Sequence, residues 1–291
     1  FYQQLIIFQF YFFEEFFLIS INYFSISFAN SIPSSFADLA ERLMPSVVNI
    51  STTTTVTTRS NPLPFEFPPG SPFEDMFGTP QQRQTSALGS GFIIDEEGIV
   101  ITNNHVIQGA QDIVVRVNGD KDYKAKVLGA DAGMDLAVLK IESDEKFKPV
   151  NFGNSDKARI GDWVIAIGNP FGLGGTVTAG IISARNRSIG LSRYEDYIQT
   201  DASINQGNSG GPLFNMAGDV IGINTAILGQ SGSIGIGFAI PSNSAQKVIK
   251  QLIEFGETKR GWLGVRIQVV DQGIADAENL DKPRGALVAS V

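Results

Sequence analysis

The segment Gly207-Asn208-Ser209-Gly210-Gly211-Pro212 sets a serine among glycines, a pattern that suits a tight turn with the hydroxyl exposed and backbone N–H groups turned inward. Such a turn supplies what acyl transfer needs: a nucleophilic oxygen, and donors for the charge that develops on the attacked carbonyl oxygen. The N–H groups of Gly207 and Ser209 are the candidate donors of this oxyanion hole, and a side chain at 207 would hinder the turn. Taken alone, the string also reads as a Gly-rich hairpin turn, so its partners must decide. A serine hydroxyl needs a base, and the chain has one histidine, His105. It has no cysteine, which removes a thiol nucleophile, a thiolate metal site and any disulfide framework. One histidine also removes the usual His-rich metal sites, so no metal and no cofactor is expected.

The order of these residues narrows the chemistry. The serine string satisfies G-x-S-x-G, the nucleophile elbow of α/β-hydrolases, but there the acid and the histidine follow the serine. Here the histidine lies upstream, in Ile101-Thr102-Asn103-Asn104-His105-Val106-Ile107, at the end of a β-branched run. What survives is the order His, Asp, Ser of chymotrypsin-type hydrolases, in which an acid accepts the imidazole Nδ1–H and fixes its tautomer. Asp131 and Asp135 compete for that place. Asp135 directly precedes the apolar run Leu136-Ala137-Val138-Leu139-Lys140-Ile141 and can be held at a barrel edge, whereas Asp131 sits in a Gly/Ala turn and reads as solvated. Asp135 is favoured. Asn208, before the serine, is neutral, so no buried carboxylate waits there for a newly cut amino terminus.

The elements that must carry these residues are short strands. The chain has 291 residues, 43% of them hydrophobic and 18% charged, with 31 glycines that fit many tight turns. Lys and Arg number 22 against 30 Asp and Glu, a net charge of −8, and no basic cluster offers a footprint for nucleic acid. Strand-like runs follow at Val47–Thr55, Gly91–Ile94, Ile99–Thr102, Ile113–Val117, Tyr123–Leu128 and Leu136–Ile141, with Asn118-Gly119 as a hairpin signal. A second series occupies Trp163–Gly168, Thr176–Ser183, Tyr197–Thr200, Pro212–Phe214, Val220–Thr225 and Ile234–Ala239. Two sets of about six strands predict an all-β protein of two barrels or sandwiches, since no gap holds the helix that a parallel crossover requires. Helices are expected at Ser35–Leu43 and at Ser242–Phe255. In the second, Ser242 caps, Val248, Ile249, Leu252 and Ile253 line one face, and Gly256 stops it. Arg59–Gln84 shows no period and reads as a long exposed loop. Residues 1–29 read as a signal peptide ending in Ser27-Phe28-Ala29, with a membrane anchor as the competing reading. Both ends look cut from a longer reading frame.

At these residues the chain resembles the HtrA (Deg, or Do-like) family of chymotrypsin-fold serine proteases. The likeness runs from about Ser35 to Val291 and rests on four motifs: Thr102–Val106, Asp135–Lys140, Gly207–Pro212 and Gly235-Ile236-Gly237-Phe238-Ala239-Ile240-Pro241. It implies a protease domain at 35–257, with a first six-stranded barrel over about 45–150, a second over about 160–241 and a closing helix at 242–255. A partial PDZ domain then follows at 259–291. It further implies His105 as general base, Asp135 as its orienting acid, Ser209 as nucleophile and the Gly207 and Ser209 amides as oxyanion hole. Ile204, Ile227 and Ile236 match positions near the substrate pocket, and Arg187 matches a regulatory loop residue beside Arg185. Gly168–Gly175, Arg185–Asp196 and Leu228–Ser233 match activation loops, and Leu263, Gly264 and Val265 open a PDZ carboxylate loop that is incomplete here. The implied function is a secreted, periplasmic, ATP-independent serine endopeptidase that degrades misfolded proteins as a homotrimer or higher oligomer, compatible with peripheral membrane association. The alternative is a chaperone or peptide-binding member of the same fold with little proteolysis.

Overall fold

The computed structural model describes residues 33–58, 81–119, 121–170, 174–190, 194–205, 207–227, 233–261 and 263–291. The expected leader over 1–29, residues 59–80 of the long loop, and the centres of the three expected activation loops at 171–173, 191–193 and 228–232 lie outside the described residues. Residues up to Arg42 form one unit and Leu43–Val291 a second. In the first, the Ser35 hydroxyl accepts the Ala37 N–H at 3.1 Å and so opens helix α1 (Ala37–Leu43).

The second unit holds two closed barrels. Strands β1 (Val47–Thr58), β2 (Gln81–Ile93), β3 (Ile99–Thr102), β4 (Asp112–Val117), β5 (Lys121–Asp131) and β6 (Leu136–Ile141) form the first, in the order β1-β2-β3-β6-β5-β4, with β4 returning to β1. Strands β7 (Trp163–Gly168), β8 (Thr176–Arg187), β9 (Tyr197–Thr200), β10 (Pro212–Phe214), β11 (Val220–Ile227) and β12 (Gly237–Pro241) close the second in the order β7-β8-β9-β12-β11-β10. The two barrels therefore share one winding. His105 lies in the β3–β4 connection of the first barrel, and Ser209 lies in the β9–β10 connection, its counterpart in the second.

Side-chain alternation explains β4, whereas β3, β6, β7, β10 and β12 are buried nearly throughout. In β4, Ile113, Val115 and Val117 are buried and their neighbours are not, the period of two that a one-sided strand demands. Ile50, Ile93, Val100, Leu139 and Ile141 join them in one core, while Val164, Ile182, Ile198, Leu213 and Ile221 fill the other. Asn118 and Gly119 both have positive φ, 54° and 78°, as the hairpin signal requires. β2 starts at Gln81 and pairs with the end of β1, so the stretch expected to be loop is strand over its last four residues. β12 starts at Gly237, and Ile234 is exposed instead of opening the strand.

Helix α2 (Asn104–Ile107) is a single turn after β3. Helix α3 (Ser242–Phe255) buries Ala245, Val248, Ile249 and Leu252, while Ile253, expected on that face, is exposed. Gly256 ends it in the left-handed region, φ 76°, returning its N–H to Leu252 O at 3.0 Å. Ser242 is its first residue rather than its cap and donates its hydroxyl to Gly153 O at 2.7 Å. The helix packs on β5 and β6 as well as on β11 and β12, so it joins both barrels and accounts for the nearly complete burial of β6. Gly129 in β5 is needed for this fit, because a Cβ there would come within 2.6 Å of Gly256 O.

Beyond the helix, β13 (Arg266–Val269) and β14 (Ala286–Ser290) pair antiparallel, with helix α4 (Gln272–Ala277) between them, capped by Asp271. Every residue of both strands is exposed. Leu263 is exposed, Gly264 has φ 70° and Val265 is half-buried, while Trp262 lies outside the described residues. Among the described residues no helix is long and apolar enough to cross a membrane.

Candidate active site

His105 sits on α2 rather than at a strand end. Asp135 meets it twice: one carboxylate oxygen accepts the His105 backbone N–H at 2.9 Å, and the other lies 2.6 Å from ring Nδ1. A carboxylate can only accept, so Nδ1 carries a proton, and in the neutral ring the lone pair lies on Nε2. The ring side chain is 48% exposed and the carboxylate 20%, which leaves the imidazole open to a substrate.

Asp135 adopts φ 54°, a conformation few non-glycine residues take, and something must hold it there. Asn103, fully buried, does so: its amide Nδ2 donates to Asp135 O at 2.8 Å and to Thr225 Oγ1 of the second barrel at 3.0 Å. Nothing in the residue pattern singled Asn103 out for this task. The available hint was a second asparagine, two positions before the histidine.

Asp131 is not solvated as expected. It is buried at the end of β5 and forms a bidentate pair with Arg260, one arm at 3.0 Å, while its carboxylate also accepts Gly133 N–H at 3.0 Å. The hydrogen bond to Asp131 raises the affinity of Arg260 for its proton, and the guanidinium stacks over Tyr194 at 4.4 Å. A chain segment after α3 is thereby tied to the turn that leads to Asp135.

The serine turn is cross-braced. Asn208 donates its backbone N–H to Asn205 O at 3.2 Å and its side-chain amide to Ser203 O at 3.0 Å, while its Oδ1 accepts Asn205 N–H at 2.9 Å. Gly211 N–H returns to Asn208 O, and Gly210 N–H reaches Asn224 O at 2.7 Å. Among the described residues the N–H groups of Gly207 and Ser209 have no partner, and Ser209 Oγ makes no hydrogen bond. The turn abuts the first barrel: Ser209 O accepts Ser90 N–H at 2.9 Å, and a Cβ on Gly210 would strike Ser90 O and Thr102 Oγ1. Gly210 has φ 82° besides, so glycine is required twice over at that position.

Ile204 is fully buried and packs under Gly237, Ile236 precedes that glycine and is half-buried, and the Ile227 backbone pairs with it across the sheet. The Ile227 side chain lies outside what is described. Arg187 ends β8 and donates to Gln199 Oε1 at 3.2 Å, whereas Arg185 reaches Asp156 O at 3.2 Å, so the two arginines are held apart in separate contacts.

Two closed barrels of one winding, a His–Asp pair on the first and a serine turn from the second against it, define the chymotrypsin-type class of serine peptidase fold. A family model for the trypsin-like peptidase domain matches residues 89–223. The chain is 45% identical over 289 residues to a probable periplasmic serine endoprotease DegP-like of Brucella suis biovar 1, covering 88% of this chain and 56% of that protein. It is 48% identical over 281 residues to one from Marinomonas sp., covering 91% and 60%. The solved HtrA-type protease AlgW with decapeptide superposes with a TM-score of 0.72 at 45% identity, covering 88% of this chain and 79% of that one. The chain belongs to the HtrA-type protease family. It spans 56% to 60% of the length of those two curated relatives.

Proposed function

We propose that this chain is the protease part of a periplasmic serine endopeptidase that cuts unfolded proteins without ATP through an acyl-enzyme. The doubly bonded His105–Asp135 pair carries the proposal, because that arrangement leaves Nε2 as an oriented base. In this reading Ser209 Oγ attacks the scissile carbonyl carbon while His105 Nε2 takes its proton. The N–H groups of Gly207 and Ser209 receive the oxyanion. The imidazolium, stabilised by Asp135, protonates the departing amine, and a water activated by the same nitrogen then releases the acyl group. By family likeness Ile204, Ile227 and Ile236 stand near the substrate pocket, and their aliphatic character supports cleavage after small or medium aliphatic residues. Names of the relatives support the compartment, and the decapeptide in the solved AlgW structure supports a peptide as substrate. Arg187 as a regulatory residue, residues 263–265 as a carboxylate loop and assembly into trimers or larger rings belong to the same proposal by family likeness.

A fluorophosphonate probe should label the wild-type chain and leave Ser209→Ala unlabelled, and only the wild type should digest casein in the absence of ATP. Equal labelling of both would move the nucleophile elsewhere.

A further inference from the structure

Ser90 lies in β2 with no exposed surface, and each of its polar groups is engaged. Its N–H donates to Ser209 O at 2.9 Å and its carbonyl accepts the Thr102 hydroxyl at 2.7 Å. Its own hydroxyl accepts Asn169 N–H at 2.8 Å and donates to Gly207 O. Both directions follow from the partners, since a backbone N–H only donates and a carbonyl only accepts.

Gly207 needs such a hold. Its φ of 110° lies where only glycine rests easily, and a glycine is free to rotate out again. The peptide plane that follows it is gripped from both sides, the carbonyl by Ser90 and the Asn208 N–H by Asn205 O. With that plane fixed, the direction of the Gly207 N–H depends only on the two torsions of Gly207 itself, φ and ψ. The hydroxyl's other contact, Asn169, opens the 168–175 segment, and its carbonyl is held by Asn49 Nδ2 at 2.9 Å. The segment and the turn are in direct contact: a Cβ on Gly207 would collide with Pro170, and one on Gly168 with Asn208.

We propose that Ser90 is a positioning residue for acylation: its hydroxyl holds the Gly207 carbonyl, so aims the Gly207 N–H at the oxyanion, and makes that aim depend on where the 168–170 backbone lies. This rests on the reading of Ser209 as nucleophile and Gly207 N–H as donor. The side chain itself touches no substrate.

The test compares wild type, Ser90→Ala and Ser90→Cys in the full chain with an aliphatic peptide p-nitroanilide, with fluorophosphonate labelling and thermal melting alongside. Removing a whole oxyanion donor costs about 100–1,000-fold in kcat, so misaiming one in Ser90→Ala should cost about 10–100-fold. KM should stay within about threefold, because ground-state binding is untouched. Probe labelling should slow by the same factor as kcat, and affinity for a peptide boronate, which mimics the tetrahedral state, should fall with it. Ser90→Cys, equal in shape but a weak donor, should lie between the two. A purely structural role would lower the melting temperature and leave kcat/KM of the folded fraction unchanged. A kcat/KM for Ser90→Ala within about twofold of wild type, or a loss confined to KM, overturns the proposal. If Ser90→Ala does not fold, Ser90→Cys decides: full activity overturns, a loss in kcat at constant KM supports. Labelling of the wild type that survives Ser209→Ala would sink the nucleophile reading and this one with it. Labelling that is lost in Ser209→Ala but unslowed in Ser90→Ala would sink only the role of Ser90.

Discussion

The His105 ring is held by hydrogen bonds whose polarity matters more than their number. Replacing Asp135 with asparagine keeps the shape and offers an N–H where an acceptor stood, so the imidazole would turn its proton to Nε2 and lose the lone pair that the proposed mechanism needs. Asp135→Asn should therefore lower kcat about 10,000-fold while leaving peptide affinity nearly unchanged. Steady-state rates with equilibrium binding measured on a Ser209→Ala background check both halves, and a loss below tenfold would contradict the assigned tautomer. His105 and Ser209 were legible because each is scarce or framed by glycine. Asp135 was chosen over Asp131 partly on a solvation argument that the structure reverses, since Asp131 is 7% exposed and ion-paired. What hid this was distance: Arg260 is 129 positions away, beyond any local pattern. Asn103 and Ser90 were illegible for the same reason, their partners lying 122 and 117 positions off.

Among elements, strands were easier to read than their ends. Short strand-like runs marked all twelve barrel strands, but whether a strand stops at Thr55 or runs to Thr58 is decided by a partner strand, and a local run carries no record of that pairing. Helix α3 was legible as a helix and illegible as a bridge, because one amphipathic face does not say which barrel it meets. Its exit segment supplies a stability test. Arg260→Ala would leave the Asp131 carboxylate buried with one backbone donor, a penalty of about 1–3 kcal/mol. The figure sits below that for a fully buried pair because the Arg260 side chain is 29% exposed. For a chain of this size each kcal/mol moves the melting temperature by about 2–4 °C. A fall of a few degrees is expected by calorimetry, with Asp131→Asn combined with Arg260→Ala costing less than the sum of the two single changes. An unshifted melting curve would mean that the pair is idle.

For the molecule as a whole, the repeated winding distributes the chemistry unevenly. The first barrel contributes the His105–Asp135 pair, complete by Ile141, and the second contributes the serine turn after β9. Each barrel closes through long-range strand pairs, which form slowly. Docking between barrels is expected to come later still, since Asn103 must find Thr225 and Ser90 must find Ser209. On dilution from denaturant, recovery of fluorophosphonate labelling should trail recovery of the far-ultraviolet strand signal, and simultaneous recovery would refute this order of assembly. A consequence follows for a chain still being made or threaded into its compartment. With only its first half outside, it carries an oriented imidazole and no hydroxyl to activate; with its second half newly out, it carries a serine whose base is not yet docked. Under the proposed mechanism it could at neither stage cut the extended polypeptide nearest to it, its own or that of a sister chain emerging alongside.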